Sequence, residues 1–213
     1  MDDLRVSALL CTRLCHDLIG PAGAVVNGVE LLSENTGAVD DEVLELIRLS
    51  AFETTRRLKY FRLALGVPAE GQAITAVRAI ADDYFASSRI ELDWSQAILQ
   101  TPLPQPLSLV PIMLNLLLCG AEALPRGGRI AIDGAPGVGG FALTVHAAGD
   151  VVKIDDEALK SLSGERDPAT LEARGIAPYI AARLAAAVGA KITATPSAEA
   201  MDFSLTLPLH SQN

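Results

Sequence analysis

The sequence predicts an α+β protein, a helical hairpin followed by a mixed sheet covered with helices, and three features predict it. Leu4, Ser7, Cys11, Leu14, Leu18, Pro21, Val25, Gly28 and Leu32 recur at alternating steps of three and four, which is a helical seam of heptad type. Leu44, Ile47, Ala51, Thr54, Leu58, Phe61 and Leu65 repeat the pattern beyond a polar turn from Ser33 to Asp40. After Gly66, Pro68 and Gly71 the single long period gives way to alternating helix-type and strand-type segments.

Two long helices joined by the polar turn make a hairpin. Helices with wide apolar faces stay partly uncovered after pairing once, and a four-helix bundle built from two chains covers the remainder. A homodimer is therefore expected, with packing of the hairpin on its own chain as the alternative. The Gly and Pro residues at 66 to 71 divide the chain into a hairpin at 1–66 and a second domain at 72–213. There the pattern predicts a helix near 73–86, a strand near 89–94, a helix near 108–124 and strands near 128–133 and 140–146. A helix entered at Pro178 and ended by Gly189 leads to strands near 190–195 and 201–207. The run Gly134 to Gly140 reads as a strand connection.

At 213 residues with 50 % apolar content the chain can bury a sizeable core. The net charge of -9, with no cluster of Lys and Arg, argues against nucleic acid and anionic lipid as partners. Asp2, Asp3 and Arg5 at the start are unlike a signal peptide. The most apolar run, Leu107 to Leu118, contains Pro111 and Asn115 and is shorter than the ~20 residues of a membrane span, so it reads as a buried helix. Cys11, Cys15 and Cys119 have no zinc-type spacing and are odd in number. They are expected to be reduced core residues in a cytoplasmic protein.

With Leu14 and Leu18 as consecutive seam positions, His16 falls between them, farthest from the core. An imidazole in water titrates at about pH 6.5, so at pH 7 one ring nitrogen offers a lone pair that can attack phosphorus. Asp17 follows, and a carboxylate accepting from one ring N–H would fix the tautomer that frees the other nitrogen. Neighbours at i and i+1 diverge on a helix, however. Gly20, Gly23, Ala24 and Asn27 continue that face with small side chains, a flat stripe suited to docking. Pro21 has no N–H for the carbonyl of Asp17, so the helix is expected to bend or loosen at the histidine, at a cost of about 3 kcal/mol. The bland alternative is an exposed histidine near an unrelated proline and glycines.

Cys15-His16-Asp17-Leu18-Ile19-Gly20-Pro21 resembles the H-box of sensor histidine kinases, in which an acid follows the His and a Pro closes the motif. The longer run from Arg13 to Ala24, with Asn27-Gly28-Val29-Glu30-Leu31-Leu32 after it, is similar to ChpT-type histidine phosphotransferases of alphaproteobacteria. The resemblance extends over essentially the whole chain. It implies a dimerising hairpin, His16 as the phosphoryl carrier, and a second domain that is an α/β sandwich of degenerate histidine-kinase ATPase type.

The resemblance places the kinase N-box along Leu114 to Pro125, where the Asn that would hold magnesium is Cys119. A thiol is a soft ligand, ill matched to magnesium. The Asp-x-Gly-x-Gly motif falls at Ala147-Ala148-Gly149-Asp150-Val151, with Ala147 replacing the adenine-reading Asp and Val151 the second Gly. Of the glycine-rich lid only Gly175 remains, in Arg174-Gly175-Ile176-Ala177-Pro178. Three losses at three contact points with one ligand imply a degenerate nucleotide site without ATP, its Asn115, Gly149 and Gly175 serving packing and turns. Gly20 stands where kinases carry the Thr or Asn that positions a water for receiver dephosphorylation, so phosphatase activity is not expected.

These features predict a histidine phosphotransferase that moves phosphoryl groups between response-regulator receiver domains, including that of a hybrid histidine kinase, through His16 with Asp17 beside it. No cofactor belongs to the chain itself; magnesium is expected from the partner receiver. Arg13, Gly20, Pro21, Ala24, Asn27, Arg56, Arg57 and Tyr60 are the expected docking residues. The alternatives are a divergent but active histidine kinase, distinguished by ATP binding, and a non-catalytic receiver-binding module in which His16 is only a contact.

Overall fold

The structure is a computed structural model that describes residues 2–34, 40–66, 73–101, 109–153 and 156–208. Most of the polar turn, the segment 67–72 and the first two residues of the Leu107 to Leu118 run lie outside the described residues. The hairpin consists of α1 (Asp2–Glu34) and α2 (Asp41–Ala64). Asp2 and Asp3 face the partial positive charge of the α1 N-terminus. Asp40 caps α2 by accepting from the Glu42 N–H.

α1 and α2 pair along the seam from Leu14 to Leu32, and Gly28 sets how closely they approach. A methyl group on Gly28 would lie 2.5 Å from Ile47 Cγ1. Gly28→Val is expected to destabilise the protein by about 1–3 kcal/mol through overpacking. Gly20→Ala, where an added methyl meets nothing within 4 Å, is expected to gain up to about 1 kcal/mol of helix propensity. Urea unfolding of the two variants should move in opposite directions.

The N-terminal third of α1 departs from the seam. Leu4 is 76 % exposed, and Ser7 and Cys11 are exposed as well, because α1 is nine residues longer than α2 and outruns it. The overhang turns Val6, Leu9 and Leu10 onto Leu171, Ile176 and Tyr179 of the second domain. Cys11 and Cys15 are therefore surface residues, contrary to expectation, and only Cys119 is buried. By length and composition alone α1 would also suffice to cross a membrane.

The second domain follows as α3 (Ile74–Phe85), β1 (Ile90–Trp94), α4 (Gln96–Gln100), α5 (Leu109–Ala123), β2 (Gly128–Gly137), β3 (Gly140–Ala148), α6 (Asp156–Ser163), α7 (Ile176–Ala187), β4 (Thr193–Pro196) and β5 (Ala200–Leu207). The strands form one sheet in the order β1-β2-β3-β5-β4, parallel between β1 and β2 and antiparallel elsewhere. The α+β architecture matches the sequence expectation. Gly134 to Gly137 belong to β2, however, and pair with β3 down to Gly140; the connection is only Val138 and Gly139. Gly139 at φ +90° supplies the left-handed backbone that so tight a turn requires.

Alternation along the strands buries Ile130, Ile132, Leu143, Val145, Met201, Phe203 and Leu205. α5 packs on this sheet and α7 packs on α5, and all but two residues of α5 are buried. The same core takes in Tyr60, Phe61, Leu63 and Ala64, so the last turn of the hairpin is sealed into the second domain. Asn115 strengthens that joint: its Nδ2 donates to the Ala64 carbonyl at 2.7 Å and to Pro111 O at 2.8 Å.

Candidate functional site

His16 sits midway along α1 with its side chain 83 % exposed. Its Nδ1 lies 3.0 Å from Asp17 Oδ1. Adjacent helix residues diverge, so something must turn the carboxylate back toward the ring. Arg13, one turn earlier, does so by donating from Nε to Asp17 Oδ2 at 2.8 Å. Its Nη1 meanwhile donates to Glu122 Oε1 at 2.8 Å, near the end of α5.

The backbone of the same residue is held too. Pro21 leaves the Asp17 carbonyl without its helical donor, and α1 nevertheless runs unbroken through it. Arg57 of α2 fills the vacancy, donating from Nη1 to Asp17 O at 2.5 Å and from Nε to Glu53 Oε1 at 2.8 Å. Ser87 holds the other oxygen of Glu53 at 3.0 Å.

Charge follows from these contacts. Burial pushes the Asp17 carboxyl up, but the hydrogen bonds from His16 and Arg13 outweigh it and hold it below the usual carboxylate range. Burial also disfavours the Arg13 charge, yet the carboxylates of Glu122 and Asp17 more than restore it. Tyr84 of α3 lies behind this cluster, its phenol pushed up to about 12 by burial and by the charge of Asp17. An ionised Asp17 can only accept, so Nδ1 carries the ring proton. The lone pair of Nε2 then points into solvent.

Gly20 and Gly23 present no side chain below the histidine and would meet nothing if they had one. Pro21 and Ala24 are half-buried and Asn27 exposed, extending the stripe. Arg56 is one-third exposed, 3.9 Å from Glu53. Tyr60 does not belong to this surface. It is fully buried, stacks on Tyr84 at 4.0 Å and donates its hydroxyl to Leu114 O at 2.7 Å, because the apolar side of the last α2 turn faces α3 and α5. Arg13 and Arg57 are turned inward, onto Asp17.

The positions at which the sequence leads one to expect a degenerate nucleotide site are engaged in packing and turns. Cys119 is buried in α5, and Ala147 is fully buried on β3, where its Cβ would sit 3.3 Å from a methyl on Gly120. The Gly149 N–H donates to Glu199 O, and a side chain there would meet Gly127 O at 2.7 Å. Val151 is half-buried. Gly175 closes a short 3-10 turn (Ala173–Gly175) against Leu171. The segment that would form the lid is pinned by α1, with Arg5 donating to Pro168 O and Leu171 O, each at 3.0 Å. Among the described residues, no three His, Cys, Asp or Glu side chains gather closely enough to hold a metal.

Sequence reasoning missed Glu122, Glu53, Tyr84 and Arg5. Only the Glu53 and Arg57 pair carried a local signal, its i,i+4 spacing.

The family model of the histidine phosphotransferase C-terminal domain matches residues 75–200. The protein phosphotransferase ChpT of Brucella abortus (strain 2308) is 35 % identical over 208 residues, which cover 94 % of this chain and 95 % of that protein. A bacterial phosphotransferase solved at 1.7 Å superposes with a TM-score of 0.79 at 32 % identity, covering 95 % of this chain and 96 % of the other. The histidine kinase AdeS of Acinetobacter baumannii shares the fold at a TM-score of 0.51 and 12 % identity, over 92 % of this chain and 98 % of its own. With the match running from the hairpin through the sheet, the chain belongs to the ChpT family of histidine phosphotransferases.

Proposed function

We propose that this protein shuttles phosphoryl groups between receiver domains through Nε2 of His16, without using ATP. The observation that carries the reading is an exposed imidazole whose Nδ1 is held by an ion-paired carboxylate. The receiver, either a response regulator's or that of a hybrid kinase, docks over Gly20, Pro21, Ala24 and Asn27, with Arg56 at the edge. Its aspartyl phosphate then stands in line with Nε2. As the N–P bond forms, the P–O bond to the receiver aspartate breaks and its carboxylate leaves. The ring becomes an imidazolium, which Asp17 stabilises through the Nδ1 proton. Magnesium belongs to the receiver's acidic pocket. Return of the group to a second receiver is the same step reversed.

Assembly follows from uncovered surface. Ile19 and Val26 on α1, and Leu44 and Leu58 on α2, are 44–72 % exposed at seven- and fourteen-residue spacings, which suits a second copy completing a four-helix bundle. The hairpin at 1–66 then dimerises, and the domain at 72–213 is carried outside, in the cytoplasm. The packing at Cys119, Ala147 and Gly149 supports a closed nucleotide site.

The proposal is tested by offering the protein either labelled ATP or a receiver already labelled on its aspartate. Label taken only from the receiver, in an acid-labile linkage, is expected. Label taken from ATP, with saturable nucleotide binding, would make the protein a kinase; tight receiver binding with no label from either source would make it a binding module.

A further inference from the structure

We infer that Glu122, a residue of the sheet domain, positions the nucleophile of the hairpin: it fixes Arg13, Arg13 orients Asp17, and Asp17 sets the tautomer of His16. The inference rests on the reading of His16 as the phosphoryl carrier. It identifies a positioning residue outside the helical hairpin.

The geometry requires a second anchor for Arg13. A lone arginine on a helix has three methylenes of freedom, and one hydrogen bond from Nε leaves the guanidinium free to swing. Here the planar fork has a carboxylate on each side, Asp17 Oδ2 at Nε and Glu122 Oε1 at Nη1, both at 2.8 Å. Neither contact can rotate without breaking the other. Arg13 is 17 % exposed and Asp17 15 %, so water screens the chain of contacts only in part.

Glu122 is itself held in place by its helix. α5 is tied to the hairpin by Asn115 at the Ala64 carbonyl and by Tyr60 at the Leu114 carbonyl. Those bonds fix the register of α5 against α2, and two turns later Glu122 arrives beside Arg13. Arg57 of α2 holds the Asp17 backbone through its carbonyl. The carboxylate next to His16 is thus set by three helices, which gives the second domain a part in the chemistry. Outer partners of a catalytic imidazole fix its tautomer and orientation in this manner.

The test uses the full-length chain as Glu122→Ala, Glu122→Gln and Arg13→Ala. Ring nitrogen NMR of His16 reads the tautomer with no receiver present. Single-turnover transfer from a phosphorylated receiver reads the rate, and receiver titration reads the Kd. Glu122→Ala is expected to lower the Nδ1–H population and slow transfer about tenfold, with the receiver Kd unchanged. Glu122→Gln should recover most of the rate, since its amide oxygen still accepts from Arg13. Adding Glu122→Ala to Arg13→Ala should cost nothing further. An unchanged tautomer and rate in Glu122→Ala would overturn the inference, as would a weakened Kd with the tautomer intact, which would make Glu122 a docking contact. Should the wild type accept no label, the phosphotransfer reading fails, while the tautomer measurement still decides the role of Glu122.

Discussion

His16→Gln is expected to take no phosphoryl group from a phosphorylated receiver, a loss limited only by assay background, while receiver affinity changes by less than about threefold. Glutamine keeps the size and polarity of the side chain but offers no nucleophilic nitrogen. The protein contains its own control for this result. His146 on β3 also pairs with a carboxylate, Nδ1 to Asp202 Oδ1 at 2.6 Å across the β3–β5 ladder. It lies on a strand of the second domain, outside the hairpin that carries His16, so His146→Gln is expected to leave transfer unchanged. A pair of similar chemistry thus separates the nucleophile from the surface that presents the phosphoryl donor to it.

Asp17→Ala is expected to slow transfer by about 10–100-fold with little change in receiver Kd. The ring then samples both tautomers, and the imidazolium formed on phosphorylation loses its counter-charge. The variant also leaves Arg13 with Glu122 alone. The pH dependence has a definite sign. The folded Asp17 carboxyl is held below its unfolded value, so its contribution is fully present above the unfolded value of about 4 and is lost as pH falls through the lower folded one. Asp17 should therefore add no limb to the rate profile between about pH 5 and 9. A transfer rate tracking carboxylate titration in that window would contradict this assignment.

The hairpin and the exposure of His16 were legible because both follow from local spacing: a helix that partly buries Leu14 and Leu18 turns the residue between them outward. The alternation of helix and strand likewise located α3, α5, α7 and the five strands to within a few residues. What escaped depends on contacts far apart in the chain. The seam through Leu4 and Cys11 continued the heptad faithfully, yet nothing local shows that α2 stops short and that Val6, Leu9 and Leu10 rotate onto Tyr179. Tyr60 reads as a surface aromatic until α3 and α5 close over it. Glycines at 134 and 137 suggested a loop, whereas pairing with β3 keeps them in a strand. Asp17 was identified beside His16, but the cause of their contact, an arginine anchored 109 residues away, lies in tertiary structure alone.

The most direct measurement of the central claim is a nucleotide-free relay. A receiver labelled on its aspartate is mixed with the protein and an unlabelled second receiver, with wild type and His16→Gln compared. Label is predicted to pass through an acid-labile intermediate on the wild-type chain into the second receiver, and to remain on the first when His16 is replaced. Label reaching the second receiver equally well with His16→Gln, or never appearing on the protein, would contradict the account.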